Sequence, residues 1–220
     1  ILPTRSDKNG DAESRLLTTL PRMTRPTLRE LASLPTEPAA LADSTLVLID
    51  CQNTYTEGVM ALDGVAAALD EVAALLDRAR TAGIPIVHVQ HDDGPGSLYD
   101  VNGHSGAIVA AVAPRDGEPV VVKNYPNSFV DTEFDQRLKA VGATNLVLTG
   151  FMTHMCVNST ARGAFNLGYA PTVVASATAT RALPGVDGAT VSADALQSAS
   201  LAALKDLFAV VVPDAAAIPS

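Results

Sequence analysis

The sequence has no tryptophan, and aromatic residues make up only 4% of its 220 residues. It has two cysteines, and charged residues account for 18% against 47% hydrophobic residues. Two cysteines in dissimilar settings do not indicate a disulfide framework, so the expected environment is a reducing cytoplasm. The high apolar fraction excludes a disordered chain, and this length suits one α/β domain but hardly two.

Long hydrophobic runs and an excess of positive charge are also absent. No apolar stretch approaches the ~20 residues that cross a bilayer, and no signal segment opens the chain. The formal net charge is -9, and such an acidic protein is not expected to bind nucleic acid or an anionic membrane. The partner that we expect is a small-molecule substrate.

Motifs of several common enzyme classes are missing. No Gly-x-Gly-x-x-Gly follows the first predicted strand, where Asp50, Cys51 and Gln52 stand instead, so dinucleotide binding is poorly supported. No phosphate-binding loop, Cys-x-x-Cys pair or Gly-x-Ser-x-Gly nucleophile turn is present. We expect no cofactor.

The chain does contain a regular alternation of strands and helices. The apolar run 45–49 predicts a strand that is covered on both faces. Five further strands are predicted, at 84–89, 119–122, 145–148, 172–175 and 208–212, with helices between them. This alternation is typical of a doubly wound, mostly parallel sheet with helices on both faces. We predict one such domain over residues 45–220.

The first 44 residues are predicted to form an N-terminal arm with one short helix. Residues 1–22 are polar and precede Met23, and the sequence does not decide whether they are native. Thr27 and Glu30 have the spacing of a capping box, which predicts the start of the short helix.

Two later helices carry further local expectations. Asp63 is predicted to cap the helix that follows the first strand. Phe134, Leu138 and Val141 are predicted to form the buried face of a helix that begins near residue 132.

Three chemically useful side chains follow predicted strands. Asp50 follows the first strand and Lys123 the third, while Cys156 lies six residues after Gly150, in the first turn of a helix. Because the carboxyl ends of parallel strands share one edge of the sheet, we expect the three to converge. A helix start and an ammonium group lower the pKa of a thiol. We therefore predict Cys156 as a nucleophile, Asp50 as its proton acceptor and Lys123 as the cation beside them.

Three segments around these residues form a recognisable pattern. They are 46–52, 122–129 together with Thr132, and above all the stretch Thr-Gly-Phe-Met-Thr-His-Met-Cys-Val at 149–157. The pattern resembles the isochorismatase-like cysteine hydrolases, and the likeness covers about residues 45–212.

The resemblance implies both a fold and a site. The fold is a Rossmann-like, three-layer arrangement around a six-stranded sheet, and the site is an Asp50–Lys123–Cys156 triad. It also implies a cis peptide bond between Phe151 and Met152, with an oxyanion hole formed by the backbone N–H groups of Met152 and Cys156. Members of this group often self-associate, so we expect a homo-oligomer.

The family contains several chemistries, which the cysteine helps to separate. Members that cleave the vinyl ether of isochorismate commonly lack the nucleophile, so Cys156 favours hydrolysis of a C–N bond in a small amide. Primary amides, N-carbamoyl compounds and cyclic amides all remain open. The alternatives are a vinyl-ether hydrolase of isochorismate and a catalytically silent small-molecule binding protein.

Side chains near the strand ends are candidates for a substrate pocket. Small-molecule pockets favour apolar and aromatic walls with a few polar groups. The candidates are Gln52, Tyr55, Tyr125 and Phe151.

Three histidines are weaker signals. His88 and His91 are three apart on a predicted strand and so point to opposite faces, and we therefore predict no metal site there. His154 suggests a Cys–His dyad as a rival, but two residues before Cys156 on a helix its side chain points roughly 200° away.

Overall fold

The computed structural model describes residues 25–220, and its centre is a parallel β-sheet. The strands are β1 Ser44–Ile49, β2 Ile86–His91, β3 Val120–Lys123, β4 Asn145–Phe151, β5 Ala170–Ala179, β6 Leu183–Pro184, β7 Thr190–Val191 and β8 Val210–Val212. Six of them form one sheet in the order β3-β2-β1-β4-β5-β8, and each neighbouring pair is parallel. The short strands β6 and β7 form a separate antiparallel pair, which the sequence patterns did not predict.

Helices cover both faces of this sheet. They are α1 Leu28–Leu31, α2 Val65–Ala82, α3 Phe134–Ala140, α4 Asn158–Asn166 and α5 Ala193–Lys205. Helix α2 packs on one face, whereas α3, α4 and α5 contribute to the core on the other. The predicted doubly wound α/β fold is confirmed. None of the helices in residues 25–220 is long and apolar enough to cross a membrane.

The apolar run in the central strand β1 is explained by the burial of both faces of this strand. Leu46 and Leu48 point into the core beneath α2, while Val47 and Ile49 point into the core beneath the other helices. Successive side chains of a strand alternate between faces, so a strand covered on both faces must be apolar at every position.

Several local predictions can be compared with the structure. The capping box is confirmed, because Thr27 and Glu30 exchange the expected hydrogen bonds at the start of α1. The cap at Asp63 is wrong: Gly64 occupies the cap position with a φ of 73°, and the Asp63 N–H bonds instead to the carbonyl of Thr180. The first 24 residues of the predicted arm lie outside the described residues.

The predicted buried face of α3 is correct for two of its three members. Phe134 and Leu138 are fully buried, but Val141 is half exposed. The helix ends at Ala140, so Val141 no longer follows its periodicity.

Strands β2, β3 and β4 end one to three residues later than predicted, and their last residues therefore belong to the site. Strand β4 continues to Phe151 and passes through Gly150, which has a φ of 105°. A Cβ atom at Gly150 would lie 2.0 Å from the carbonyl oxygen of Ile49. Glycine is required here because β4 approaches the end of β1 too closely for any side chain.

Candidate active site

The carboxyl ends of β1 and β4 form the crevice of the sheet. Strand β1 lies between β2 and β4. Strands β2 and β3 are therefore added on one side of β1, and the later strands β4, β5 and β8 are added on the other side. Ligands of open α/β sheets bind at such a switch point. Asp50 follows β1 directly and has a φ of 51°, a left-handed conformation that is uncommon for a residue other than glycine and that clusters at functional sites.

Lys123 reaches this crevice from the edge of the sheet. It ends β3, which strand β2 separates from β1, and its side chain therefore crosses the end of β2. The Nζ atom lies 2.7 Å from Asp50 Oδ2 and 3.4 Å from Cys156 Sγ. Asp50 and Lys123 are fully buried and Cys156 is 5% exposed. The structure thus brings the three predicted residues together.

Cys156 lies in a tight turn between β4 and α4. Residues Thr153–Val157 form one turn of π-helix that continues into α4. The carbonyl of Met152 accepts hydrogen bonds from Met155 N and Val157 N at 3.0 and 3.2 Å. The peptide bond between Phe151 and Met152 is cis. Within residues 25–220, the Met152 N–H donates no hydrogen bond to another group.

Both members of the ion pair between Asp50 and Lys123 have shifted pKa values. Burial raises the pKa of Asp50 above its ordinary value, although the neighbouring Lys123 opposes the shift. The charged partner of the carboxylate is Lys123, and within the described residues no backbone N–H group bonds either carboxylate oxygen. Burial lowers the pKa of Lys123, but Asp50 and Cys156 together raise it further, and the net direction is upward. The ammonium group therefore stays charged.

The expected lowering of the Cys156 pKa is wrong. Burial and the Asp50 carboxylate raise the pKa of this thiol more than Lys123 lowers it. The thiol therefore keeps its proton in the resting protein. A carboxylate with a raised pKa lies beside it, and such a carboxylate is a better proton acceptor than an ordinary one.

The predicted pocket residues lie in different settings. Tyr55 and Phe151 are buried, and their rings meet edge to face at 5.9 Å. Tyr99 meets Tyr55 in the same way at 5.9 Å and extends this aromatic wall. Tyr125, by contrast, is 49% exposed.

Gln52 is fully buried and bonds the local backbone, not the lysine. Its Nε2 donates to the carbonyls of His91 and Gly106 at 2.9 and 2.7 Å, and its Oε1 accepts from His91 N at 2.9 Å. Gln52 therefore holds the end of β2 in place.

The histidines are distributed over separate contacts. His88 lies 3.0 Å from Glu118, whereas His91 contacts Lys123 and Asp93. His154 bonds Thr180 Oγ1, so its ring is turned to β5. In residues 25–220, no group of three or more His, Cys, Asp or Glu side chains is arranged to hold a metal ion.

His91 is the site residue that the sequence patterns missed. Its Nδ1 lies 3.2 Å from Lys123 Nζ, and its Nε2 lies 3.0 Å from Asp93 Oδ1. The available signal was its place at the end of the second strand, but the pairing of that strand with β3 was needed to interpret it.

Buried hydroxyl groups join the segments that carry the lysine and the cysteine. Thr160 in α4 accepts a hydrogen bond from Ser128 N at 3.1 Å, and its hydroxyl lies 2.8 Å from Ser128 Oγ. The hydroxyl of Thr132 donates in turn to the Ser128 carbonyl at 2.5 Å. This network fixes the loop after Lys123 against the helix that follows Cys156.

A parallel sheet with a buried thiol, carboxylate and ammonium at its switch point defines an α/β protein with a candidate active site. The family model described as "Isochorismatase domain" matches residues 44–216. The chain belongs to the isochorismatase family, and the resemblance found in the sequence is confirmed.

Named relatives and a solved structure agree with this assignment. The chain is 35% identical over 185 residues to "Secreted isochorismatase effector Isc1" of Verticillium dahliae. This match covers 84% of this chain and 95% of the relative. It is 30% identical over 176 residues to "Ureidoacrylate amidohydrolase RutB" of Azorhizobium caulinodans, covering 62% of this chain and 78% of the relative. The crystal structure of an isochorismatase from Pseudomonas putida superposes on this chain with a TM-score of 0.85 and 35% sequence identity. The match covers 89% of this chain and 100% of the isochorismatase chain.

Proposed function

We propose that the protein hydrolyses a C–N bond of a small amide through a thioester on Cys156. The observation that carries the proposal is the position of Lys123 Nζ, 2.7 Å from Asp50 Oδ2 and 3.4 Å from Cys156 Sγ. A thiol between a proton acceptor and a cation is an activated nucleophile. The relative named as an amidohydrolase supports the type of bond.

The first half-reaction forms the thioester. Asp50 accepts the thiol proton as the Cys156 sulfur attacks the carbonyl carbon of the amide. The ammonium group of Lys123 stabilises the negative charge that develops on the sulfur. The C–N bond then breaks, and Asp50 returns the proton to the departing nitrogen. The products at this point are a free amine or ammonia and an acyl group on sulfur.

The second half-reaction consumes water. Asp50, again a carboxylate, takes a proton from a water molecule that attacks the thioester carbon. The C–S bond breaks, and the proton returns to the Cys156 sulfur. A carboxylic acid leaves, and the site is restored with no oxidant, reductant or cofactor.

The oxyanion formed in each half-reaction needs hydrogen-bond donors. We propose the backbone N–H groups of Met152 and Cys156 for this role, since the Met152 N–H is free of other bonds within the described residues. Removal of one such donor in comparable sites costs roughly 10²–10³ in turnover. The turn between β4 and α4 is accordingly expected to tolerate little change.

Hydrolysis of the vinyl ether of isochorismate is the second candidate. It is favoured by the relatives and the solved structure that carry the isochorismatase name. In that reaction Asp50 would act as the acid and the sulfur would have no covalent role. The two candidates therefore differ in their need for Cys156.

The remaining expectations about the protein's surroundings are part of the proposal. We propose a small-molecule substrate, no nucleic-acid or membrane partner, a homo-oligomeric state and a cytoplasmic location, in view of the acidic charge and the two free thiols. The Verticillium relative is named as secreted, so fractionation of the source cells is the direct test of location.

The test of function is product formation, followed by mass spectrometry, on a panel of substrates. The panel holds nicotinamide, an N-carbamoyl amino acid, several lactams and isochorismate. Wild type is compared with Cys156→Ala and with Cys51→Ala, which removes the other buried thiol.

Three outcomes separate the candidates. Amide turnover that disappears in Cys156→Ala but persists in Cys51→Ala supports the proposal. Isochorismate turnover that survives Cys156→Ala replaces it with the second candidate. No turnover of any panel member, together with slow alkylation of Cys156, indicates a silent binding protein.

A further inference from the structure

The side chain of Lys123 crosses a strand to reach the crevice, and the residue beneath it is His91. Strand β2 lies between β3 and β1, and its last residue, His91, is in register with Lys123. Residues in register on neighbouring parallel strands project to the same face of the sheet. The lysine therefore extends alongside the imidazole on its way to Asp50.

The ammonium group of Lys123 has three N–H donors and three neighbouring groups. These are Asp50 Oδ2 at 2.7 Å, Cys156 Sγ at 3.4 Å and His91 Nδ1 at 3.2 Å. An ammonium group has no acceptor lone pair, so His91 Nδ1 must be the unprotonated nitrogen. The ring proton then lies on Nε2 and is donated to Asp93 Oδ1, 3.0 Å away.

The backbone and ring of His91 are also fixed. The side chain of Gln52 bonds both the N–H and the carbonyl of His91. The ring of Tyr99 meets the imidazole edge to face, with centroids 4.9 Å apart. These contacts restrict the ring to the orientation in which Nδ1 is directed at the lysine.

We propose that His91, oriented by Asp93, is a positioning residue that holds the Lys123 ammonium between Asp50 and Cys156. The inference rests on the proposed function, in which that ammonium supports the thiolate. It assigns to the end of β2 a role in the reaction without direct contact with substrate.

Loss of the imidazole acceptor has a defined consequence. One N–H of a fully buried ammonium group would be left without a partner, and an unmade bond to a buried charged group is costly. The ammonium group would then turn away from Cys156 or release its proton. In either case the Cys156 thiolate loses support and forms less often.

The test is the rate at which iodoacetamide alkylates Cys156, measured by peptide mass spectrometry on the intact, full-length chain. His91→Leu removes the acceptor, whereas His91→Asn keeps an acceptor oxygen at the position of Nδ1. We expect His91→Leu to alkylate about tenfold more slowly than wild type, and His91→Asn to lie within about threefold of it. The value of kcat on the substrate found above should fall in parallel, with little change in KM.

Asp93 provides a variant that does not threaten the fold, since its side chain is 51% exposed. Asp93→Ala removes the orienting carboxylate and should slow alkylation by about threefold, the scale of a half-exposed pair. The matched control is His104→Leu, because His104 pairs with Glu57 at 3.2 Å on the surface, in a similar contact away from the lysine. It should alkylate at the wild-type rate.

Two results would overturn the inference. The first is a wild-type alkylation rate in both Asp93→Ala and a correctly folded His91→Leu variant. The second is an alkylation rate in His91→Asn that is as slow as the rate in His91→Leu. If His91→Leu does not fold, then wild-type rates in Asp93→Ala alone overturn it. Alkylation requires no substrate, so these results are independent of whether the protein hydrolyses amides.

Discussion

The two ends of strands β2 and β3 carry clusters of the same composition, each with a carboxylate, a cation and a histidine, but their carboxylates behave in opposite ways. At the amino ends the carboxylate is Glu118, and its pKa is lowered to about 2. At the carboxyl ends the carboxylate is Asp50, which follows the neighbouring strand β1, and its pKa is raised.

Glu118 owes its low pKa to a complete set of hydrogen bonds. Arg80 donates from Nε and Nη2 at 2.8 and 2.9 Å, the N–H of Arg115 donates at 2.9 Å, and His88 Nε2 lies 3.0 Å away. Bonds to the charged form favour that form. This carboxylate is already stabilised in its ionised state and has little tendency to accept a proton.

Asp50 has one cation beside it and no comparable set of donors. Lys123 Nζ lies 2.7 Å from its Oδ2, and within the described residues no backbone N–H group bonds either oxygen. Burial then dominates and raises the pKa. The comparison shows that the set of donors around the charged form, and not the presence of a cation or a histidine, separates the two carboxylates: Glu118 is held ionised, whereas Asp50 more readily accepts a proton.

The largest expected effect is the loss of turnover in Asp50→Asn. The amide cannot accept the thiol proton or return it to the leaving nitrogen, so we expect kcat to fall by roughly 10³–10⁴-fold. The measurement is steady-state turnover of the substrate that the panel identifies, with folding checked by circular dichroism.

Glu118→Gln is the control at the other end of the strands. It removes a charge from a cluster of the same kind. We expect kcat to stay within about twofold of wild type, because a substitution at a distant, independent site does not couple to the groups around Cys156. Equal losses of turnover in the two variants would contradict the distinction between the clusters.

A second prediction compares glycines at the two ends of the sheet. Gly150→Ala places a Cβ atom 2.0 Å from the carbonyl oxygen of Ile49, next to the site. We expect a loss of about 3–5 kcal/mol in the free energy of unfolding, the range of severe backbone and packing defects. The measurement is urea unfolding of the purified variant.

Gly117 provides the matched comparison. It also has a positive φ, of 90°, but no atom lies within 4 Å of its added Cβ. Gly117→Ala should therefore cost only about 1 kcal/mol, the penalty of the left-handed conformation alone. Similar losses in both variants would show that the close approach of β4 to β1 is not the limiting feature.

Much of the candidate site was predictable because it depends on local patterns. The apolar runs identify the strands, and Asp50 and Lys123 each follow such a run without interruption. The parallel topology then places strand ends on one edge. For the same reason the position of Cys156 at a helix start followed from the chain alone.

The features that were missed depend on spatial neighbours. The role of His91 requires the order β3-β2-β1, which no local pattern contains. The direction of the Cys156 pKa requires its burial and its distance from Asp50. Asp63 was predicted as a cap from its residue type, but the pairing of its backbone with Thr180 places it outside that role.

A third prediction concerns stability at the amino ends. Glu118→Gln removes the charged acceptor of Arg80 and His88, so Arg80 loses its charge-assisted hydrogen bonds and His88 loses a charged partner. We expect a loss of about 2–4 kcal/mol in the free energy of unfolding at neutral pH, as is usual when one partner of a buried pair is removed. Arg80→Met should cost a similar amount and should also leave kcat unchanged.

The smallest expected effect is the pH dependence of that stability. The pKa of Glu118 falls from its ordinary value of 4.5 to about 2 on folding, chiefly through Arg80, so the unfolded chain binds its proton more readily than the folded protein does. The stabilisation is therefore present above pH 4.5 and is lost as the pH falls towards 2. Urea unfolding of wild type between pH 5 and pH 3 should show this decline, and Glu118→Gln should show a flatter one. Asp50 has the opposite sign, since its pKa is raised and its contribution is lost as the pH rises. Parallel pH profiles for wild type and Glu118→Gln would mean that the hydrogen bonds of the amino-end cluster do not stabilise the ionised form of Glu118.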